Sequence, residues 1–255
     1  MPTLKQIMAV GALVIALIAG AAAYAVFKTP AVSSGQIQTI PLATSAAQVS
    51  TTAAQPTTAA AASSAAITSS SAATTSTNAV TLQMTQAESE ARFIIDEVLN
   101  NAPKTVIGTT DQVAGEIAIN PQDPTQTRVG VIQVDARALT TDSEFRNRAI
   151  KNQILETDQY EYITFTPTAI IGLPQAGAVG TPYTFQVVGD LTIRDVTKQV
   201  TFDVTATAAA ASRIEGTATT SIAYADYGIS IPQVRQVASV ADQVRLELDF
   251  VAVAA

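Results

Sequence analysis

The chain has 255 residues, 47 of them alanine, and a formal net charge of −7 at pH 7. It contains no His, Cys or Trp, which excludes disulfides, thiolate metal sites, cysteine nucleophiles and every mechanism that uses an imidazole as base or ligand. After Lys5 and Lys28 no charge occurs until Glu88, and the last 168 residues hold 12 basic against 21 acidic side chains, a net −9; an acidic domain without a basic stripe argues against a nucleic-acid partner.

Residues 7–27, IMAVGALVIALIAGAAAYAVF, carry no charge and no proline. At about 1.5 Å per residue such a helix spans about 30 Å, the hydrocarbon thickness of a bilayer. Residues 1–28 are therefore expected to form a signal anchor, a transmembrane helix holding the chain in a membrane. The small-x-small pattern Ala23-Tyr24-Ala25 leaves a cleavable secretory signal as the alternative. Either way the rest is exported. The expected location is membrane-anchored with the domain on the extracytoplasmic side, at the cell surface or in the periplasm, or secreted if the signal is cleaved. Residues 29–87 are Ala, Ser, Thr and Gln with scattered Pro and show no hydrophobic period. They cannot bury enough apolar area to offset backbone ordering, so a disordered linker is expected. A coil of that length spans roughly 40 Å. A glycosylated stalk and an unmodified spacer both fit its composition.

From Glu88 to Ala255 the pattern changes to short alternating runs. Val244, Leu246, Leu248 and Phe250 alternate with Arg245, Glu247 and Asp249, the period of a strand with one wet face. Tyr183, Phe185 and Val187, then Val200, Phe202 and Val204, repeat it. Further strands are expected at 92–97, 112–119, 128–137, 161–168 and 214–224, separated by Pro, Gly and Asn turns. Evenly spaced short strands predict an all-β fold, one antiparallel barrel or sandwich. The exception is 141–156, TDSEFRNRAIKNQILE, which reads as one short helix with Thr141 and Glu144 as its capping box.

Several of these segments resemble one known family in its order. GDLTIRDVTKQVTFDV at 189–204 is similar to the strand–turn–strand signature of the YceI-like domain. FIIDE at 93–97, FRNRAIKNQIL at 145–155 followed by YEYITFTPT at 160–168, DYGISIP at 226–232 and DQVRLELDFVA at 242–252 match its other parts. The resemblance covers about residues 91–252. It implies an eight-stranded antiparallel lipocalin-like barrel with one short helix, whose pore takes long amphiphiles such as polyisoprenoids, isoprenoid quinones or fatty-acid amides. Where many members of that family have His in the helix segment and His-Gly in a hairpin turn, this chain has Ala149 and Arg194-Asp195. The connection 98–111 also departs from the common form.

The expected function is lipid binding without catalysis, with no cofactor and no metal. The candidate pore lining is Phe165, Tyr183, Phe185, Val187, Leu191, Ile193, Phe202, Leu246, Leu248 and Phe250; the same alternation would equally pack a solid core. Arg146, Arg148 and Lys151 are the candidate head-group contacts, since Arg forks suit phosphate oxygens; a solvated helix face is the plainer reading. The carboxylate pairs Asp142/Glu144 and Asp158/Glu161 read as surface acids. The expected partners are an isoprenoid-type lipid or quinone and, through the N-terminal helix, a membrane; a homodimer is left open. The competing function is a cell-surface structural or interaction domain with a filled barrel.

Overall fold

Alternating apolar residues on a pleated chain give each strand one greasy face, and that face must be buried against others. The computed structural model describes residues 28–42, 79–232 and 237–254, and in them this demand is met by one sheet. Its strands are β1 (Val80–Met84), β2 (Glu90–Leu99), β3 (Ala102–Thr110), β4 (Val113–Ala114), β5 (Glu116–Ile119), β6 (Arg128–Val129) and β7 (Ile132–Asp135). They continue with β8 (Tyr162–Ile171), β9 (Pro182–Ile193), β10 (Val196–Ala210), β11 (Arg213–Ala223), β12 (Val237–Val240) and β13 (Gln243–Ala254). The hydrogen-bonded path runs β4-β7-β8-β9-β10-β11-β13-β1-β5-β6, with β2 pairing β13, β12 and β3. It starts on β4 and returns to β5, which follows β4 after Gly115 alone. The antiparallel sheet is thus strongly curled, a lipocalin-like barrel. The expected segments at 92–97, 161–168, 183–187, 200–204, 214–224 and 244–250 fall on β2, β8, β9, β10, β11 and β13, but 112–119 is divided at Gly115 into β4 and β5, and 128–137 is divided at 130–131 into β6 and β7 and ends in a turn; β1, β3 and β12 are additional.

Register defines two ends. β2 turns into β3 through Asn100 and Asn101, both with positive φ, as a two-residue hairpin of the right twist requires. β9 turns into β10 at Arg194, also left-handed. These turns lie at the end where β7 finishes and β8 begins. The opposite end carries the loops 120–127, 172–181 and 211–212.

The connection from β7 to β8 holds the helix, α1 (Glu144–Ala149), continued by one π turn, Ile150–Ile154. It is shorter than the expected 141–156 and capped differently. Ser143, not Thr141, is the N-cap, its hydroxyl accepting from the Arg146 N–H. Thr141 is occupied elsewhere, donating its N–H and hydroxyl to Oδ1 of the buried Asn147 at 2.7 and 2.8 Å. One bridge, Thr109 to Thr140, ties this connection to β3.

Side chains of β1, β4, β5, β7 to β11 and β13, with Tyr227 and Ile229, form the apolar cluster. Phe165 meets Phe202 edge-on with ring centroids 4.9 Å apart, the favoured aromatic geometry. Gly189 makes room for it: a Cβ there would lie 2.5 Å from the Thr166 carbonyl and 2.7 Å from the Phe165 ring. Leu82 and Ala252 are fully buried where β1 meets β13.

The transmembrane helix expected at 7–27 lies outside the described residues. Among the described residues no helix is long and apolar enough to cross a membrane. The stretch 29–87, read as linker, is described at both ends. Residues 79–87 contain β1 and a 3-10 turn, Gln86–Glu88. Residues 28–42 lie along the outside of the barrel, with Ile37 only 6% exposed. Lys28 pairs with Asp158. The Ala31 N–H donates to Asp158, the Ser34 N–H and hydroxyl both donate to Glu161 at 2.7 Å, and the Leu42 N–H donates to Glu116 at 2.8 Å.

Candidate functional site

The curled sheet encloses a cavity of about 1100 Å³. Its wall is built by period-2 strands, each lending alternate side chains. Phe165 of β8, Tyr183, Phe185, Val187, Leu191 and Ile193 of β9, Phe202 of β10, and Leu246, Leu248 and Phe250 of β13 all face it. Phe165, Val187, Leu191, Ile193 and Phe250 are buried and the other five half-buried. Sequence alternation thus places the ten candidates on one surface. The expected strand β2 adds Phe93 and Ile95, which were not among the candidates, the unexpected β3 adds Val106, and the alanines Ala206, Ala208 and Ala218 line the wall with little bulk.

The cavity reaches the surface at both ends. At the helix-bearing end the wall includes Phe145, 52% exposed, and Asp142; at the other it includes Val179, 63% exposed. The helix-bearing rim is ionic. Arg146 bonds Glu97 of β2 at 2.8 Å and also pairs with Asp142, and Lys104 of β3 reaches Asp142 at 2.6 Å. Two cations and two carboxylates balance. Lys104 and, less strongly, Arg146 hold the Asp142 carboxyl below its usual range against partial desolvation. The three head-group candidates therefore separate. Arg146 is at the cavity; Arg148 is exposed and Lys151 half-buried, and neither is in the wall. Burial pushes the Lys151 ammonium down, with Glu144 and Asp135 pulling it back. Glu97, Lys104 and Asp142 were not expected at the rim. Glu97 and Lys104 are cross-strand partners in the β2–β3 hairpin and Asp142 is one turn before Arg146; the fold brings these two local pairs together.

Other polar groups support this end. Arg194, in the β9–β10 turn, bonds Glu156 at 2.9 Å and stands over the Tyr160 ring. It pins the β9–β10 hairpin to the helical connection. Tyr224 lines the cavity, whereas Tyr227 is buried outside it, its hydroxyl pushed up to about 12 by desolvation. Asp158 and Glu161 are not free surface acids, since they clamp residues 28–34. Glu161 also bonds Arg137 at 2.8 Å. Burial works against its charge, but Ser34 and Arg137 outweigh it and hold the carboxyl below its usual range. Among the described residues no three His, Cys, Asp or Glu are grouped to hold a metal ion.

The family model of the YceI-like domain matches residues 82–252. An apolar-walled, strongly curled antiparallel sheet with one short helix is the architecture this match implies, and the chain belongs to the YceI-like domain family. Comparison with curated proteins gives no match. Two solved structures share the fold. One is a polyisoprenoid-binding domain from Saccharophagus degradans implicated in plant cell wall breakdown. It is 16% identical, with a TM-score of 0.54 over 69% of this chain and 99% of that one. The other is Burkholderia cenocepacia BcnA, 18% identical, with a TM-score of 0.52 over 66% of this chain and 98% of that one.

Proposed function

We propose that this protein is an extracytoplasmic lipid-binding protein, anchored by residues 7–27, that holds one isoprenoid-type amphiphile, a polyprenyl lipid or a quinone, inside its barrel. On this reading the chain passes β1–β2, β3–β5, β6–β7, β8, β9, β10, β11 and β13 would serve as the eight staves of that barrel, in keeping with their pairing order. The observation that carries the reading is the cavity. Its volume of about 1100 Å³ stands at the top of the usual range for small-molecule sites, about 300–1,000 Å³, and its wall is apolar along most of its length. A hydrocarbon tail entering it gains about 25 cal/mol for each Å² removed from water. No reacting group is needed, which suits a chain without His or Cys. The name of the Saccharophagus relative supports an isoprenoid tail, and the rim of Arg146, Glu97, Lys104 and Asp142 suits a polar head. The competing reading, a scaffold with a filled core, is disfavoured by the same cavity.

The test is organic extraction and mass spectrometry of the purified chain beside an Ala206→Trp/Ala218→Trp variant that fills the cavity. The expected result is a prenyl lipid or quinone from the wild type and none from the folded variant. Equal recovery from both, or none from either together with no uptake of added prenyl lipid, contradicts the reading.

A further inference from the structure

Residues 28–42 are held to the barrel along their whole length. Beyond the bonds to Asp158, Glu161 and Glu116, the Lys28 carbonyl accepts from Asn152 at 2.7 Å and the Ile37 carbonyl from Gln86 at 3.0 Å. Arg137 reaches the Val32 carbonyl and the Ser34 hydroxyl. Leu42 sits over Gly130, where a Cβ would come within 3.2 Å of it. Glu116 is the firmest anchor. It is 7% exposed, and it accepts from the Leu42 N–H and from Gln83. A carboxylate so buried needs those donors, because losing one leaves an unmet charge.

This changes what sets the distance between the apolar run and the barrel. Residues 43–78 leave from Leu42 on Glu116 and return as β1, whose Val80 and Gln83 pair with Ile119 and Glu116 of the same strand, β5. The long Ala/Ser/Thr segment begins and ends on one strand. It therefore does not lie between residues 7–27 and the barrel. The connection there is Lys28, the residue after the run, and Lys28 is held by Asp158 and Asn152 at the helix-bearing end.

We propose that residues 28–42 are a strap that seats the helix-bearing end of the barrel, with its ionic cavity mouth, against the bilayer into which residues 7–27 insert. This rests on the anchored reading above. Apolar exposure does not choose the end, since Phe145 is exposed at one and Ile171 and Val179 at the other; the position of Lys28 does. A tether of residues 29–87 would hold the domain roughly 40 Å away, whereas the strap leaves no free chain between anchor and barrel. A lipid then passes between bilayer and cavity without exposing its tail to water, an exposure that costs about 25 cal/mol per Å².

Single-cysteine labelling tests this cleanly, because the chain has no cysteine of its own. In the full chain, Ile37→Cys is expected to react with a maleimide about tenfold more slowly than Val32→Cys, as a docked segment reacts only through local opening. Adding Glu116→Ala is expected to abolish that protection. Fluorophores on Phe145→Cys and on Val179→Cys, both exposed sites, are then compared in phosphatidylcholine vesicles with a nitroxide on the head group. Seating predicts quenching at Phe145, none at Val179, and loss of the difference in an Asp158→Ala/Glu161→Ala chain. Equal reactivity of Ile37→Cys and Val32→Cys, or equal quenching at both ends in a chain that resists alkaline extraction, overturns the strap and leaves the anchor standing. A chain released by alkali overturns the anchor reading, and the seating with it.

Discussion

The two ends of the barrel are built from different chemistry around one continuous cavity. The helix-bearing end gathers Glu97, Lys104, Asp142 and Arg146 into a balanced ionic rim, and the clamp on Lys28 lies beside it. The opposite end narrows the chemistry to small and apolar groups such as Ala208, Ala210, Pro174 and Val179. Between them the wall is Phe, Leu, Ile and Val. A charge at the helical rim is paired and still touches water, while a charge in the far half would be buried unpaired, at a cost of several kcal/mol. On the proposed reading, this asymmetry would orient an amphiphile with its head at the helical rim and its tail toward the alanines.

The largest effect separates packed wall from hollow wall. Leu82→Ala, at a fully buried contact of β1, should cost about 2–5 kcal/mol in a denaturant titration. Leu246→Ala already faces the cavity, and it should cost less than about 1.5 kcal/mol, because little new void is made. Equal costs would mean a solid interior. At the rim, Arg146→Ala strands Glu97, whose side chain is 8% exposed, and should cost about 1–3 kcal/mol. Arg148→Ala on the same helix faces solvent and should stay within about 0.5 kcal/mol. If the two arginines behave alike, the rim has no privileged charge. Ser143→Ala removes the helix cap and should cost about 0.5–1 kcal/mol, with Thr141→Ala acting instead through the loop hydrogen bonds to Asn147. The smallest effect is on pH. Lys28 and the Ala31 N–H hold the Asp158 carboxyl below its usual range, and Ser34 and Arg137 do so for Glu161. Lowered carboxylate values stabilise docking above the ordinary range and release it as pH falls through the lowered ones. Ile37→Cys protection should therefore be constant at neutral pH and weaken below about pH 4. Protection lost near pH 6 would mean that other groups hold the strap.

The interior was the legible half of this molecule. Alternation depends on neighbours in sequence, so β9 and β13 could be read residue by residue, and with them the faces of Phe185 and Leu248. β3 was hidden because its sequence, APKTVIGTT, opens on proline and polar residues, although the adjacent Asn100-Asn101 pair is a hairpin signal. β1 was hidden inside a charge-free stretch that resembles its neighbours in composition. Of the rim only Arg146 was singled out, and the long-range joins of rim and strap could not be read. Arg146 meets Glu97 across 49 positions and Ser34 meets Glu161 across 127, and nothing local announces such pairs. The acids at 158 and 161 look like any solvated turn until residues 28–34 are laid against them.

The central claim is that a lipid tail occupies the inside of the barrel. The most direct measurement is photocrosslinking of the full chain in vesicles with a prenyl lipid carrying a diazirine near the tail end, followed by peptide mapping. The account predicts adducts on inward residues of the far half, such as Ala206, Ala208 and Phe185, sparing the outward neighbours Thr205, Thr207 and Gln186. Adducts confined to residues 7–27 or to the outward faces of β9 and β10 would contradict it.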